Sequence, residues 1–309
     1  MKQAIFTVVN GAWINQLNIF VESWYKDKPD DVDYILVHDG TIGLEDLNHK
    51  PDLMVELEEK WLNSLVKTEA HRFLKPSWKI NCGRIFIMDL YKEKYDKLIY
   101  FDADTVVVDL QAFLNYHPQK SIAAVEAEFT RESISIVDDE TGFGLASKLR
   151  ILEQRRLNPS GYVNNGVMII NTAKLRNLPF NISEVFIRTF GRLEFIDQDF
   201  INLVFSKDIE YLDRSYNFIP LPILRDSTGA VIHYGEATQN YFNKPLDRLK
   251  AIHYISGWRP WEPTEELKSE VLNVNKIVEI YTELIERTPK IYGMFRRSVR
   301  ENCKYYIRK

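Results

Sequence analysis

The sequence predicts an α/β fold built on a mainly parallel central sheet. Over the first hundred residues short apolar strands alternate with helical stretches, the order that covers a parallel sheet on both faces. Hydrophobic residues make up 45% of the 309, enough to bury one large core. No repeat or low-complexity tract argues for another architecture.

The elements follow in order. Strands are expected at Ala4–Val9 (AIFTVV), Tyr34–Val37 (YILV) and Leu98–Phe101 (LIYF). Helices are expected around Ile14–Tyr25, Asp52–Leu65 and Arg84–Tyr91. Ser121–Val125 and Val167–Ile170 (VMII) read as further strands. The polar stretch 127–162 between them reads either as a lid or binding loop, or as a surface insertion with one helix, Gly144–Arg155. Thr264–Arg287 reads as a helix, opened by Pro263 and Thr264 with acids in its first turn.

Charge and cysteine content narrow the setting. From Arg287 onward eight Lys/Arg face one acid, Glu301; this +7 leaves −11 for the rest of a chain whose net charge is −4. An acidic body argues against non-specific nucleic-acid binding. The opening MKQAIFTVVN runs straight into a strand with no leader, and no apolar run nears the roughly 20 residues of a membrane span. Two cysteines, Cys82 and Cys303, make no disulfide framework. A cytoplasmic chain is expected.

Ligands of parallel sheets bind beyond the carboxyl ends of the strands, so those positions come next. Tyr100-Phe101-Asp102-Ala103-Asp104 ends an apolar strand in Asp-x-Asp. If the chain turns there, both carboxylates converge on one hard cation, Mg²⁺ or Mn²⁺. The competing reading is an Asp turn that caps the next element. His253, after the strand-like Ala251-Ile252, is the best-placed third ligand, and an imidazole shifts preference toward Mn²⁺. A structural histidine is the alternative. Asn164-Asn165-Gly166 reads as a turn feeding a strand, with glycine supplying positive φ. Asp197-Gln198-Asp199 leads into a helix at Phe200–Phe205, where Asp197 could be an N-cap alone.

In order, these pieces resemble glycosyltransferase family 8, over roughly residues 3–262. The matches are Asn10-Gly11-Ala12-Trp13, Asp102-Ala103-Asp104, Asn164-Asn165-Gly166-Val167, Asp197-Gln198-Asp199, and His253 with Arg259-Pro260-Trp261. The resemblance implies a GT-A fold, a UDP-sugar donor and retention of anomeric configuration. It implies Asp102, Asp104 and His253 as metal ligands. Asn10 and Trp13 would hold the uracil ring, with Ala103 lining the donor pocket. Arg84 would contact the donor and Glu126 would lie near the donor sugar. Asn164, Asp197 and Gln198 would surround the transferred sugar. Gly257 and Arg259 would face the diphosphate, arginine replacing the family's usual lysine; arginine also binds a diphosphate, bidentately. Either Asp197 or a neighbour attacks as in retaining glycosidases, or the acceptor enters on the leaving-group face. The second is favoured, because Gln198 would be a poor nucleophile.

The resemblance divides the chain into a catalytic domain, 1–262, and a C-terminal helix and basic tail, 263–309. It leaves the acceptor open among a glycan, a lipid-linked glycan and a protein. The tail Met294–Lys309 (MFRRSVRENCKYYIRK) resembles a segment that docks on the anionic inner face of a membrane, and also reads as a solvated terminus. Two rivals remain. Asp102-Ala103-Asp104-Thr105-Val106 fits a haloacid-dehalogenase-type phosphatase, whose motif belongs after the first strand of its domain. A non-catalytic nucleotide-sugar-binding protein of the same fold is the other.

Overall fold

Strand β1, Gln3–Val9, sends Ala4, Phe6 and Val8 to one face and Ile5 and Val9 to the other, and all five are buried. A strand apolar on both faces needs a layer on each side. The computed structural model describes residues 1–57, 80–127, 161–189, 196–219, 224–225, 231–232 and 249–253. After β1 come α1 (Ile14–Trp24), β2 (Val32–His38), β3 (Leu53–Glu56), α2 (Gly83–Tyr91), β4 (Lys97–Phe101), β5 (Thr105–Val107), α3 (Leu110–Leu114) and β6 (Ile122–Glu126). Then follow β7 (Val163–Asn171), α4 (Thr172–Arg176), α5 (Ile182–Thr189), α6 (Ile196–Val204), β8 (Ile209–Leu212), β9 (Leu224–Arg225), β10 (Val231–Ile232) and β11 (Ala251–His253).

Among the described residues the main sheet has the order β3-β2-β1-β4-β7-β6-β8. On one face Phe6, Tyr100 and Met168 pack with Ile85 and Phe86 of α2, Phe186 of α5 and Phe200 of α6. On the other, Ile5, Phe101 and Ile169 pack with Phe20 and Trp24 of α1 and Phe113 of α3. No helix among the described residues is long and apolar enough to cross a membrane.

The expected strands and the helices at α1 and α2 are present within a few residues. Three features differ. The helix expected over Asp52–Leu65 is contradicted at its start: Leu53–Glu56 pairs in parallel with Ile35–His38, because the open edge of β2 offers a ladder to an apolar, extended tetrapeptide. The rest of that helix, and those at Gly144–Arg155 and Thr264–Arg287, lie outside the described residues, as does the tail. Next, Asn164-Asn165-Gly166 is not a turn before a strand but part of β7, and the positive-φ glycines among the described residues are Gly40 and Gly161. Finally, Asp197 lies inside α6, which starts at Ile196, and is not the residue ahead of the helix.

β7 sets the geometry that matters. It runs antiparallel to both β4 and β6, so its first residues lie beside the carboxyl end of β4, with Phe101 opposite Val167. Register slips between Ala124 and Glu126, so residues 164–167 of β7 bulge against Val125. One sheet edge therefore collects the ends of β1, β2, β4 and β6 with the start of β7.

Candidate active site

The chain leaves β4 at Asp102 while still tied to β7, the Asp102 N–H donating to the Gly166 carbonyl at 2.7 Å. Thr105 N–H then donates back to the Asp102 carbonyl at 3.1 Å, closing a turn that brings the two aspartates toward one side. β5 follows and pairs antiparallel with β11, so that His253 stands opposite Thr105. The far side of β11 is fixed too: Phe218 N–H donates to Ala251 O at 2.9 Å and His253 N–H to Phe218 O at 2.8 Å. As a result His253 Nε2 lies 3.4 Å from Asp102 Oδ2 and 3.2 Å from Asp104 Oδ1. One ligand atom from each residue falls within 4.8 Å of the others.

Gly166 makes this possible. A Cβ on it would overlap the His253 ring, 2.7 Å from Nδ1, and lie 2.8 Å from Asp102 Oδ2. The glycine is needed for the space its missing side chain leaves and not for its dihedral freedom. Two hard oxygens and one imidazole nitrogen beside that space fit a divalent cation.

Arg84 links this cluster to the next. It is buried on α2, with Nη2 2.8 Å from Asp102 Oδ1 and Nε 3.1 Å from Asp197 Oδ2. Its Nη1 donates to Asn165 O at 3.1 Å and its Nε to Asn81 O at 3.0 Å, and the guanidinium lies over the Tyr100 ring. Tyr100 in turn donates its hydroxyl to Asp102. Burial would raise the Asp102 carboxyl, but Arg84 and His253 outweigh it and hold the group below its ordinary value. Asp197 goes the other way: burial raises it more than Arg84 and Asn165 lower it.

Asp197 and Gln198 sit in the first turn of α6 and face the start of β7. Asp197 Oδ2 accepts from Asn165 Nδ2 at 2.7 Å. Gln198 Oε1 accepts from Asn165 N–H at 3.3 Å, while its Nε2 donates to the Tyr162 hydroxyl at 3.2 Å. Asn164 Oδ1 accepts from Gly166 N–H and from Asn217 Nδ2, each at 2.9 Å. Asn217 Oδ1 lies 3.1 Å from His253 Nδ1.

The remaining expected residues are spread along the same edge. Asn10 caps the turn Gly11–Trp13 by accepting from Ala12 N–H at 3.1 Å, and Gly11 N–H donates to Thr41 Oγ1 at 2.7 Å, joining the ends of β1 and β2. Trp13 is half-buried there and Ala103 is buried. Glu126 gives a carboxylate oxygen to Gly161 N–H at 2.8 Å, bracing the start of β7. Gly257 and Arg259 lie outside the described residues. Reasoning from sequence missed Asn165, Tyr162 and Asn217. Asn165 stood in a motif already singled out, whereas Tyr162 and Asn217 have no local pattern to mark them.

Asp102 follows the fourth strand among the described residues, where the phosphatase reading needs the first. The sequence profile described as glycosyl transferase family 8 matches residues 36–265. A lipopolysaccharide 1,2-glucosyltransferase of Escherichia coli is 27% identical over 207 residues, 64% of this chain and 55% of that protein. A lipopolysaccharide 1,3-galactosyltransferase of Salmonella typhimurium is 26% identical over 195 residues, 58% of this chain and 48% of that protein. The match thus spans about half the length of these curated relatives. Among solved structures, the galactosyltransferase LgtC aligns with a TM-score of 0.58 at 18% identity, over 92% of this chain and 95% of its own. The bifunctional glycosyltransferase WbbM aligns at 0.56 and 19% identity, over 91% of this chain and 51% of its own. The shared architecture is the GT-A fold.

Proposed function

Because the chain belongs to glycosyltransferase family 8, we propose that it transfers a hexose, glucose or galactose, from a UDP-sugar to a glycan with retention, and that it uses Mn²⁺. One observation supports this above others: Asp102, Asp104 and His253 converge at the strand ends beside the space left by Gly166. A donor set that includes an imidazole favours Mn²⁺; Mg²⁺ is the alternative ion. The lipopolysaccharide transferases among the relatives favour a lipid-linked glycan as acceptor over a free glycan or a protein. Residues 1–262 form the catalytic unit in this reading, and 263–309 an appended helix and tail.

Bound at these three residues, the ion would supply Lewis-acid stabilisation of the departing diphosphate. The protein's own groups position the rest. Arg84 ties Asp102 to Asp197, joining the cation side of the pocket to the sugar side. Asp197 is held by Arg84 and Asn165, and Gln198 by Asn165 and Tyr162, so neither swings freely into the place of a nucleophile. Both are better suited to support positive charge on the sugar ring. The acceptor hydroxyl then enters on the leaving-group face and passes its proton to the departing phosphate oxygen.

Incubating the purified chain with UDP-glucose and UDP-galactose in turn, with and without Mn²⁺, tests this. We expect ion-dependent release of UDP with one of them, to an acceptor or slowly to water. Thermal stabilisation by a nucleotide sugar without release of UDP would make the chain a non-catalytic binding protein, and the absence of both would overturn the proposal.

The ion's affinity should also depend on pH. Burial lowers the His253 pKa, but Asp104 and Asp102 outweigh it and hold the ion-free imidazole up at about 9. Below that value a cation must displace one proton. Calorimetric Mn²⁺ affinity should therefore fall about tenfold per pH unit from pH 8 to pH 6. An affinity flat across that window would show that His253 is not a ligand.

A further inference from the structure

We propose that Asn217, which no motif marks, is a positioning residue for the cation site: it fixes which nitrogen of His253 is offered to the ion. The inference rests on the metal assignment proposed above.

The Gly166 N–H can only donate, so the Asn164 side-chain atom 2.9 Å away is the carbonyl oxygen. Asn217 also points an atom at that oxygen, at 2.9 Å, and this must be its amide nitrogen. The other end of the Asn217 amide is then its oxygen, facing His253 Nδ1 at 3.1 Å. An oxygen there accepts, so Nδ1 keeps its hydrogen, and Nε2, between Asp102 and Asp104, is the nitrogen whose proton an ion displaces and whose lone pair it takes. The last link, on which the tautomer depends, is buried, with Asn217 1% and His253 2% exposed, so water does not compete for it; the two links to Asn164 are part-buried. The backbone sets the same chain of contacts. Asn217 ends the 3₁₀ turn Arg214–Asn217, and the next residue, Phe218, bridges to Ile252 of β11. The relay runs from the bulge of β7 through Asn164 and Asn217 to His253. A shift of the sugar-side strand would therefore reach the cation without passing through either aspartate.

The test compares side chains of similar shape. Asn217→Leu keeps the volume without an acceptor, and Asn217→Asp keeps an acceptor for Nδ1–H. Mn²⁺ affinity is measured by calorimetry on the full chain, with melting in chelator recording each variant's fold. We expect Asn217→Leu to bind Mn²⁺ about 10–100-fold more weakly than wild type. Asn217→Asp should stay within a few-fold of wild type or exceed it. If the leucine variant does not fold, Asn217→Ala takes its place as the variant without an acceptor. Wild-type affinity in the leucine or alanine variant, or weak binding by leucine and aspartate alike, overturns the assignment. Wild type that takes up no Mn²⁺ removes the metal reading itself, and this inference with it.

Discussion

Asp104→Ala should lower Mn²⁺ affinity and sugar transfer together, each on the order of a thousand-fold, because several kcal/mol of leaving-group stabilisation depend on the ion. Asp104 is the cleaner of the two aspartates to remove. Its partner Asp102 also neutralises the buried Arg84 and accepts from Tyr100, so Asp102→Ala leaves a buried guanidinium with Asp197 as its remaining carboxylate. Breaking a buried pair costs about 3 kcal/mol or more, so that variant should also melt lower in chelator. Asp104→Ala takes a carboxylate from the buried His253, so it should melt below wild type in chelator but less far below than Asp102→Ala, and it should lose the rise in melting temperature that Mn²⁺ with UDP gives the parent. Paired calorimetry and initial rates decide the matter. Normal turnover by Asp104→Ala at saturating donor would remove the metal from the mechanism.

A second large effect should come from a single methyl group. Gly166→Ala places a carbon where the His253 ring and an Asp102 oxygen already lie. Something must move, and β7 is pinned between β4 and β6. His253 or the Asp102 turn should give way. The overpacking should cost about 1–3 kcal/mol of stability, leaving the sheet folded. The cluster loses more than the fold, because a ligand displaced by an ångström no longer binds. Mn²⁺ affinity should fall about a hundred-fold, as far as for loss of a ligand's own support. Melting curves and calorimetry on the same sample separate the two losses. Wild-type Mn²⁺ affinity in Gly166→Ala would mean that the His253 ring and the Asp102 oxygen packed against Gly166 do not hold the ion.

Much of this was legible in the sequence, and the reasons for the rest are specific. β1, β2 and β4 are short apolar runs ending in polar residues, so local pattern placed both the strands and the carboxylates at their ends. His253 was picked out by its neighbours in sequence; its meeting with Asp104 depends on a strand pairing that no local signal encodes. Leu53–Glu56 deceived because four residues are too few to separate a helical from an extended pattern, and an open sheet edge decided between them. Gly166 was recognised as significant for the wrong reason, since only coordinates reveal what would occupy the place of its side chain. Asn217 was invisible because a buried asparagine between two other side chains has no periodicity or spacing to betray it.

The pairing of Ala251–His253 with Thr105–Val107 also bears on timing. On the ribosome both aspartates emerge long before the histidine does, and the central strands can form while much of the chain is still being made. Until the last of these segments docks, a passing ion meets two acids on a growing polypeptide and is held no better than at many other surfaces. Tight capture is deferred until Ala251–His253 has been made, so a product terminated before that segment would own the central strands and no competent centre.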